Sequence, residues 1–473
     1  MTIATRYEAG FLDMTQVKKE SVPGTLELPS YSGADAFGHI DFVCTLKKNL
    51  VPDARHNDRR ETDSTNEGKR QIDLSFSMNA IGGGAATTKP DYFEIIEAFF
   101  DDGVGGAGDT TATAAAHTTT TITVTSITGF VVNQGIGVVI SGVYQHGVIK
   151  TIAGAVITLY TALTAAPATG ALVKGGYGYP LVKDPQDRLT FVLYEQQRAD
   201  YIEGGIITGM TFTVDGDQDV VIQCQGIAGD IYEVGSSLVA GGGIDGVGAT
   251  ALTVTTGEGF RFTGIDSLTA KGVLLIESEY LSLSAKTAAN VTTVVREVGG
   301  SSQAAHAADV NIEPFRPTPT YNSSGGYVIP PVNSSNCILY ISGTRFEHIK
   351  TEVAIGSMVK PVHNAAGRKT IQGYHATMLD PTVNITLDGW TPAVQTLYGQ
   401  WLNKTIFDFK LQMGIDLGKM MGLMGPRFEI LEFSRPDPTR EDYAKPVIVG
   451  KLHGGGQETT TAGLHGSVFL YTL

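Results

Sequence analysis

The chain has 473 residues, a net charge of −14, 17% charged residues and 58 glycines. A chain this acidic repels nucleic acid, whereas a free-standing DNA binder is normally basic. No run of about 18 apolar residues predicts a membrane span, and the first twenty residues lack the basic and apolar regions of a secretion signal.

The charged share lies below the usual ~25% and the glycine share above the usual ~7%. With Thr and Val dominating long stretches, this composition predicts a mainly β protein with many turns. Cys44, Cys224 and Cys337 are odd in number and scattered, so neither a disulfide framework nor a metal-spaced pair is expected.

In chain order, "FVCTLKKNLV" predicts a strand, the polar stretch 52–70 a loop, and "QIDLSFSM" a second strand. In "KPDYFEIIEAFF", Tyr92, Ile95, Ile96 and Phe99 share one face while Glu94, Glu97 and Asp101 share the other. This spacing predicts a helix over 90–100, with Pro90 at its first position and a solvated acidic face that includes Asp91. Residues 103–120, "GVGGAGDTTATAAAHTTT", read as a linker.

Two later segments repeat one another. "TITVTSITGF" (121–130) matches "ALTVTTGEGF" (251–260); "GVVISGVY" from Gly137 parallels "GVLLIESEY" from Gly272; "AVITLY" from Ala155 parallels "NVTTVV" from Asn290. Each predicts a small antiparallel β module, inserted through flexible flanks and removable without loss of the host fold. Around them runs a second repeat. Gly68-Lys69-Arg70-Gln71-Ile72 and Gly367-Arg368-Lys369-Thr370-Ile371 each precede a strand and a helix. The second helix, over 392–402, carries Val394, Leu397, Tyr398, Trp401 and Leu402 on one face, with Thr391 as N-cap and Pro392 at its first position. The strands "LTFVLYE" (189–195) and "IFDFKLQM" (406–413) follow the two helices. The predicted organisation is a first host domain over 1–110 and 176–240, module 1 over 111–175, module 2 over 241–318, and a second host domain over 319–473.

"VDGDQDVVIQCQG" (214–226) places Asp215, Asp217 and Asp219 at alternate positions, as a calcium loop begins. Such a loop needs Gly at its sixth position and Glu at its twelfth; here these are Val220 and Gly226. Apolar faces coincide instead if 214 pairs with 220, 212 with 222 and 210 with 224. That predicts a hairpin with an acidic five-residue tip.

No nucleophile elbow, P-loop or histidine pair on a helix occurs, so no enzyme activity, catalytic set, cofactor or metal is expected. "GGGAA" (82–86) and "AGGGIDG" (240–246) read as loops, and "KMMGLM" (419–424) as a core or subunit-contact strand. The stretch 52–70 mixes both signs. It reads either as a solvated loop or as an arm ordered against another subunit, with Arg55, Arg59, Arg60, Glu61, Glu67 and Lys69 as its interface residues.

The strand–loop–strand units 42–78 and 346–379, the helices 90–100 and 392–402, and the hairpin "GIITGMTFTVDGDQDVVIQCQG" together resemble the major tail tube proteins of long-tailed, siphovirus-like bacteriophages. The resemblance implies a duplicated β-sandwich or barrel domain with one flanking helix each, plus two inserted β domains. It implies a structural virion protein, assembled in the bacterial cytoplasm. Three copies would form a pseudo-six-fold ring, and rings would stack into the tail tube. Implied partners are further copies, the tape measure, tail terminator and distal tail proteins, and genome DNA that passes through the lumen without specific binding. No membrane partner is implied. The acidic charge would then repel DNA within the lumen. The alternative is a receptor- or carbohydrate-binding virion protein with the modules as adhesins. That reading needs aromatic platforms, for which the modules offer Phe130, Tyr144, Tyr160, Phe260, Phe262 and Tyr280.

Overall fold

The computed structural model describes residues 14–52, 65–114, 116–181, 187–195, 198–216, 218–239, 244, 251–253, 272–286, 291–319, 331–363, 371–434, 445–453 and 468–473. The first host segment holds β1 (Met14–Lys19), β2 (Ala36–Phe37), β3 (Asp41–Pro52), β4 (Thr65–Asn79), the helix α1 (Phe93–Phe99) and β5 (Val104–Gly105). Module 1 follows with β6 (Asp109–Thr111), β7 (Thr121–Thr123), β8 (Gly135–Ile140), β9 (Val143–Ala153), β10 (Val156–Leu159) and β11 (Leu172–Gly175). The host resumes with β12 (Tyr177–Pro180), β13 (Leu189–Tyr194), β14 (Arg198–Asp215), β15 (Val221–Ala228) and β16 (Asp230–Gly235). Module 2 contains β17 (Ser237–Leu238), β18 (Val273–Ile276), β19 (Glu279–Lys286), β20 (Val291–Val295) and β21 (Asn311–Pro314). The last part holds β22 (Cys337–Ile341), β23 (Thr344–Phe346), β24 (His348–His363), β25 (Ile371–Leu387), the helix α2 (Pro392–Leu402), β26 (Phe407–Met413), β27 (Met421–Phe433), β28 (Val447–Leu452) and β29 (Phe469–Thr472).

The fold is mainly β, as expected. Its backbone is one antiparallel run, β3–β4–β15–β14–β24–β25–β28–β27. Strict alternation puts Leu74, Phe76, Met78, Met210, Phe212, Ile222, Val353, Ile355, Val383 and Ile385 into the main core. The hairpin register is the one its apolar residues dictate: Met210 faces Cys224 and Phe212 faces Ile222. Among the described residues no helix is long and apolar enough to cross a membrane.

The two helices differ. α2 starts at Pro392, and its N-cap Thr391 accepts the Val394 N–H at 3.3 Å. α1 starts only at Phe93, after a turn, and Pro90 lies outside it. Tyr92 is pinned there, its hydroxyl bonded to both the N–H and the carbonyl of Ile81. The acidic face of α1 is not solvated. Glu94 and Glu97 are both buried. β1 covers that face: Lys18 Nζ reaches Glu94 at 3.1 Å and the Lys19 N–H also bonds it. Lys89 pairs with Glu97, which also accepts the Gly103 N–H at 3.1 Å. Burial pushes the Glu94 carboxyl up, against the pull of Lys18.

The stretch 103–120 is not a free linker. It supplies β5, which pairs with β12, and β6, which pairs with β11. The strands of module 1 are ordered β6-β11-β8-β9-β10-β7, and an Ala112–Val124 bridge joins the two ends. Ile122, Val124, Phe130, Ile136, Val138, Ile149, Ile157 and Val173 fill the interior. Module 2 is ordered β17-β21-β18-β19-β20. The order β11-β8-β9-β10 therefore has its counterpart in β21-β18-β19-β20. Both central hairpins turn in two residues, with Ser141 (φ 52°) and Glu277 (φ 55°) in the left-handed region. The turns align Ile140 with Ile276, one residue off the Gly137–Gly272 match that the sequence suggests.

Candidate subunit edges and module docks

The run from β3 to β27 has an unpaired strand side at each of its two ends among the described residues. β3 pairs only with β4. β27 pairs with β26 as far as Phe428, and beyond that point only with β28, on its other side. Near that bare edge, the Ile430 carbonyl accepts a hydrogen bond from Trp401 Nε1 at 3.0 Å. Large apolar side chains are exposed at both edges: Ile40 (57%) and Val43 (52%) at or beside one, Leu431 (45%) at the other.

The middle of the sheet shows how such edges fit together. β14 pairs with β13 as far as Gly205, and from Gly209 to Asp215 it pairs with β24. That junction joins the two halves of the chain. The halves share a register. Met210–Cys224–Phe76–Phe42 forms one row across four strands, and Ile430–Gly450–Val383–Val353 forms the matching row. In this correspondence Phe433 stands where Phe212 does, and Phe42 where Val353 does. Phe212 faces Val353 at the junction.

The outer face of the sheet is polar and carries more carboxylates than cations. Ser75, Ser77, Thr211, Thr213, Gln223, Gln225, Thr382 and Asn384 are exposed or half-buried on it. The cations Lys47, Lys350 and Lys451 are paired with Asp73, Asp215 and Asp380 respectively. Asp41, Glu352, Glu429 and Glu432 add further negative charge to the same face.

The predicted arm falls largely elsewhere. Arg55, Arg59, Arg60 and Glu61 lie outside the described residues, as does Asp217. Glu67 and Lys69 sit on β4, where Glu67 pairs through the backbone with Leu50. Asp215 binds Lys350 at 3.2 Å, and Asp219 bridges to Asn333. Of the "KMMGLM" methionines, Met421 enters the main core and Met424 faces module 1. No protein-family model and no curated protein matches this chain.

A second site, unforeseen in sequence, is where the modules sit. The two halves carry corresponding three-strand platforms: β13, β14 and β16 in the first, and β26, β27 and β29 in the second. Val192 faces Tyr201 as Lys410 faces Met424, and Tyr194 faces Ala199 as Gln412 faces Gly422. Module 2 rests on the first platform. Val192, Tyr194, Ala199, Tyr201, Tyr232 and Val234 share one apolar cluster with Leu274, Ile276, Leu281 and Leu283, and the Val273 N–H donates to Tyr201 Oη at 3.0 Å. Module 1 rests on the second. The approach is close in both. A Cβ on Gly272 would lie 2.6 Å from Val234, and one on Gly135 would lie 2.8 Å from Tyr471, the platform residue that corresponds to Val234.

The second platform differs in chemistry. Lys410 is fully buried, and its Nζ donates to the carbonyls of His146 (3.1 Å) and Ala162 (3.4 Å) and lies 4.5 Å from the Tyr340 ring centre. Gln412 donates to the Tyr144 carbonyl at 3.0 Å and accepts the His146 N–H at 3.4 Å. Burial lowers the Lys410 ammonium from its usual 10.5 to about 8, with Asp408 opposing the shift. The His146 ring is buried against Tyr471, its ring nitrogens unpartnered among the described residues.

Module 2 has its own buried ion network. Arg296 forks onto Glu279 (Nε to Oε1 2.8 Å), and His306 meets Glu279 at 2.8 Å and Glu277 at 2.9 Å. Of the aromatics named from the sequence, Tyr144, Tyr160 and Tyr280 are half-buried, and Phe260 and Phe262 lie outside the described residues. Phe130 is core, Tyr160 packs on Phe469 (5.0 Å), and Tyr280 packs on Phe315 (4.3 Å).

Proposed function

We propose that this chain is a ring-forming structural protein of the tail tube kind, built from two copies of one host domain. The observation that carries the reading is the pairing of β14 with β24 inside the chain, together with two bare edges in corresponding positions. A surface on one side of a molecule that fits a different surface on the other side makes a heterologous contact, which closes into a ring or runs into a filament. Unpaired strand edges are otherwise liabilities for uncontrolled pairing. Applied between copies, the in-chain junction sets Phe433 of one copy against Phe42 of the next, and Glu432 against Val43. Three copies would then alternate in-chain and between-chain junctions in a pseudo-six-fold ring.

The opposite face supports the same reading. Helices and core cover the inner side of the sheet, which leaves the polar side to line the lumen. Hydroxyls and amides there, with the described cations already paired to carboxylates, give a polyanion little to hold. β3 and β4 pair as far as Pro52 and Thr65, and in this reading Arg55, Arg59 and Arg60, between those two residues in the chain, meet carboxylates of an adjacent ring. Electron microscopy of the purified chain tests the reading: rings or tubes are expected, and discrete monomers at every concentration and salt would count against it.

A further inference from the structure

We propose, resting on the ring reading, that the aromatic cluster on α2 anchors the contact between copies and seats on the inner side of β3 in the next copy. Trp390, Tyr398, Trp401 and Phe433 pack ring against ring, with centroids 5.3 to 6.1 Å apart. Both tryptophans of the chain are in this cluster. Trp390, Tyr398 and Trp401 are only half-buried. Phe433 belongs to the bare stretch of β27, and Trp401 is tied to the Ile430 carbonyl of the same strand. A strand added to that edge therefore passes beside the cluster.

The equivalent helix shows what covers such a face. "KPDYFEIIEAFF" and "TPAVQTLYGQWL" align from Pro90 and Pro392. Tyr92 and Ile95 are buried, and so are Val394 and Leu397. The next apolar positions differ. Ile96, Phe99 and Phe100 are at most 1% exposed, whereas Tyr398 and Trp401 are half-buried and Leu402 is 60% exposed. The opposite surface has the same deficit. On the inner side of β24, Thr351, Val353 and Ile355 are buried; on β3, its equivalent, Phe42, Cys44 and Leu46 are half-buried. α1 packs on β14, and β14 pairs with β24, so the two well-covered surfaces meet at the in-chain seam. α2 and β3 lie at the two bare ends. The segment before α1 is also bonded across the seam: the Gly84 N–H donates to the Gly418 carbonyl at 2.8 Å, and a Cβ on Gly82 would lie 2.4 Å from that oxygen. Residues 388–390 are the equivalent segment before α2, which puts Trp390 on the same interface. Large aromatics that lose water at the centre of a contact carry most of its energy.

The test follows the full chain by tryptophan emission and by the concentration at which rings form. Both tryptophans sit in the cluster, so emission is expected to move to shorter wavelength as rings form. Leu402→Lys alters an exposed side chain, and the separate subunit is expected to melt as the unmodified one does. Its ring formation is expected to need about thirtyfold more protein, the weight of one hot-spot residue. Val295→Lys, at an apolar residue of module 2 that is 54% exposed, is expected to change neither. Rings that form with no change in emission would overturn the proposal and leave the ring reading standing. So would Leu402→Lys rings at the unmodified concentration, or an equal loss in Val295→Lys. No rings from the unmodified chain at any concentration would overturn both.

Discussion

Phe212 of β14 stands directly opposite Val353 of β24, inside one chain, at the seam between its two halves. Both are buried, and the Lys350–Asp215 pair straddles the same seam on the outer face. The seam is thus a finished example of the contact proposed between copies, with its apolar row and its ion pair in place.

The Glu279 network makes module 2 sensitive to acid. Burial alone would raise this carboxyl; hydrogen bonds from Arg296, the Ala304 N–H and His306 outweigh it and hold the group at about 2, against a usual 4.5. A carboxylate depressed in the folded state contributes stability that is complete above 4.5 and lost as pH falls from there through 2. Protection of peptides over 273–295 should therefore decline across that window while the host β-sheet holds. Arg296→Met should remove on the order of 3 kcal/mol from the module, because it strands a buried charge.

Lys410 gives the opposite sign at the other end of the scale. A buried amine depressed to about 8 from 10.5 penalises the docked state fully below 8. The penalty fades between pH 8 and 10.5, since the neutral amine still donates to both carbonyls. Stability of the module 1 dock should rise across that range by up to about 3 kcal/mol. Lys410→Met should flatten the profile. Denaturant midpoints for the two proteins at pH 7.5, 9 and 10 measure the difference.

His146 carries two unpartnered ring nitrogens in a fully buried site beside Tyr471. His146→Leu removes both polar atoms at similar volume. It should raise stability by about 1–2 kcal/mol. A loss in thermal melting would show that a partner for the ring is present in solution.

Much of this was legible in the chain and some was not, for physical reasons. The 210–224 register followed from alternation, because a one-residue slip would turn Phe212 and Ile222 outward. α2 announced itself by Thr391 and Pro392. The acidic face of α1 misled, because a buried carboxylate that meets half-buried lysines and one that meets water look the same at helical spacing. Lys410 and Gln412 alternate with Phe409 and Leu411 as solvent-facing residues of an edge strand would; only the platform geometry shows that a module covers them. The Gly-rich flank 103–120 read as a linker because β5 and β6 are short and take their partners from β12 and β11, more than 60 residues further on.

Removal of 119–174 illustrates the difference. The sequence predicts a tolerated excision. The structure shows that it would uncover Lys410, Gln412, Phe469 and Tyr471, all buried in the intact chain. The deletion should lower the melting temperature and increase binding of an apolar dye. A deletion protein that melts like the full chain would mean that the dock contributes nothing.

The most direct measurement of head-to-tail closure is a disulfide across the proposed edges, in a Cys44→Ser background. Val43→Cys with Glu432→Cys places thiols at positions that correspond to Ala354 and Thr211, which face each other at the in-chain seam. Oxidised during assembly and run without reductant, this protein should give linked dimers and then closed trimers as the final in-plane species. The Thr211→Cys/Ala354→Cys control should cross-link within the chain. Monomer alone from the edge pair, while the control cross-links fully, would contradict the ring.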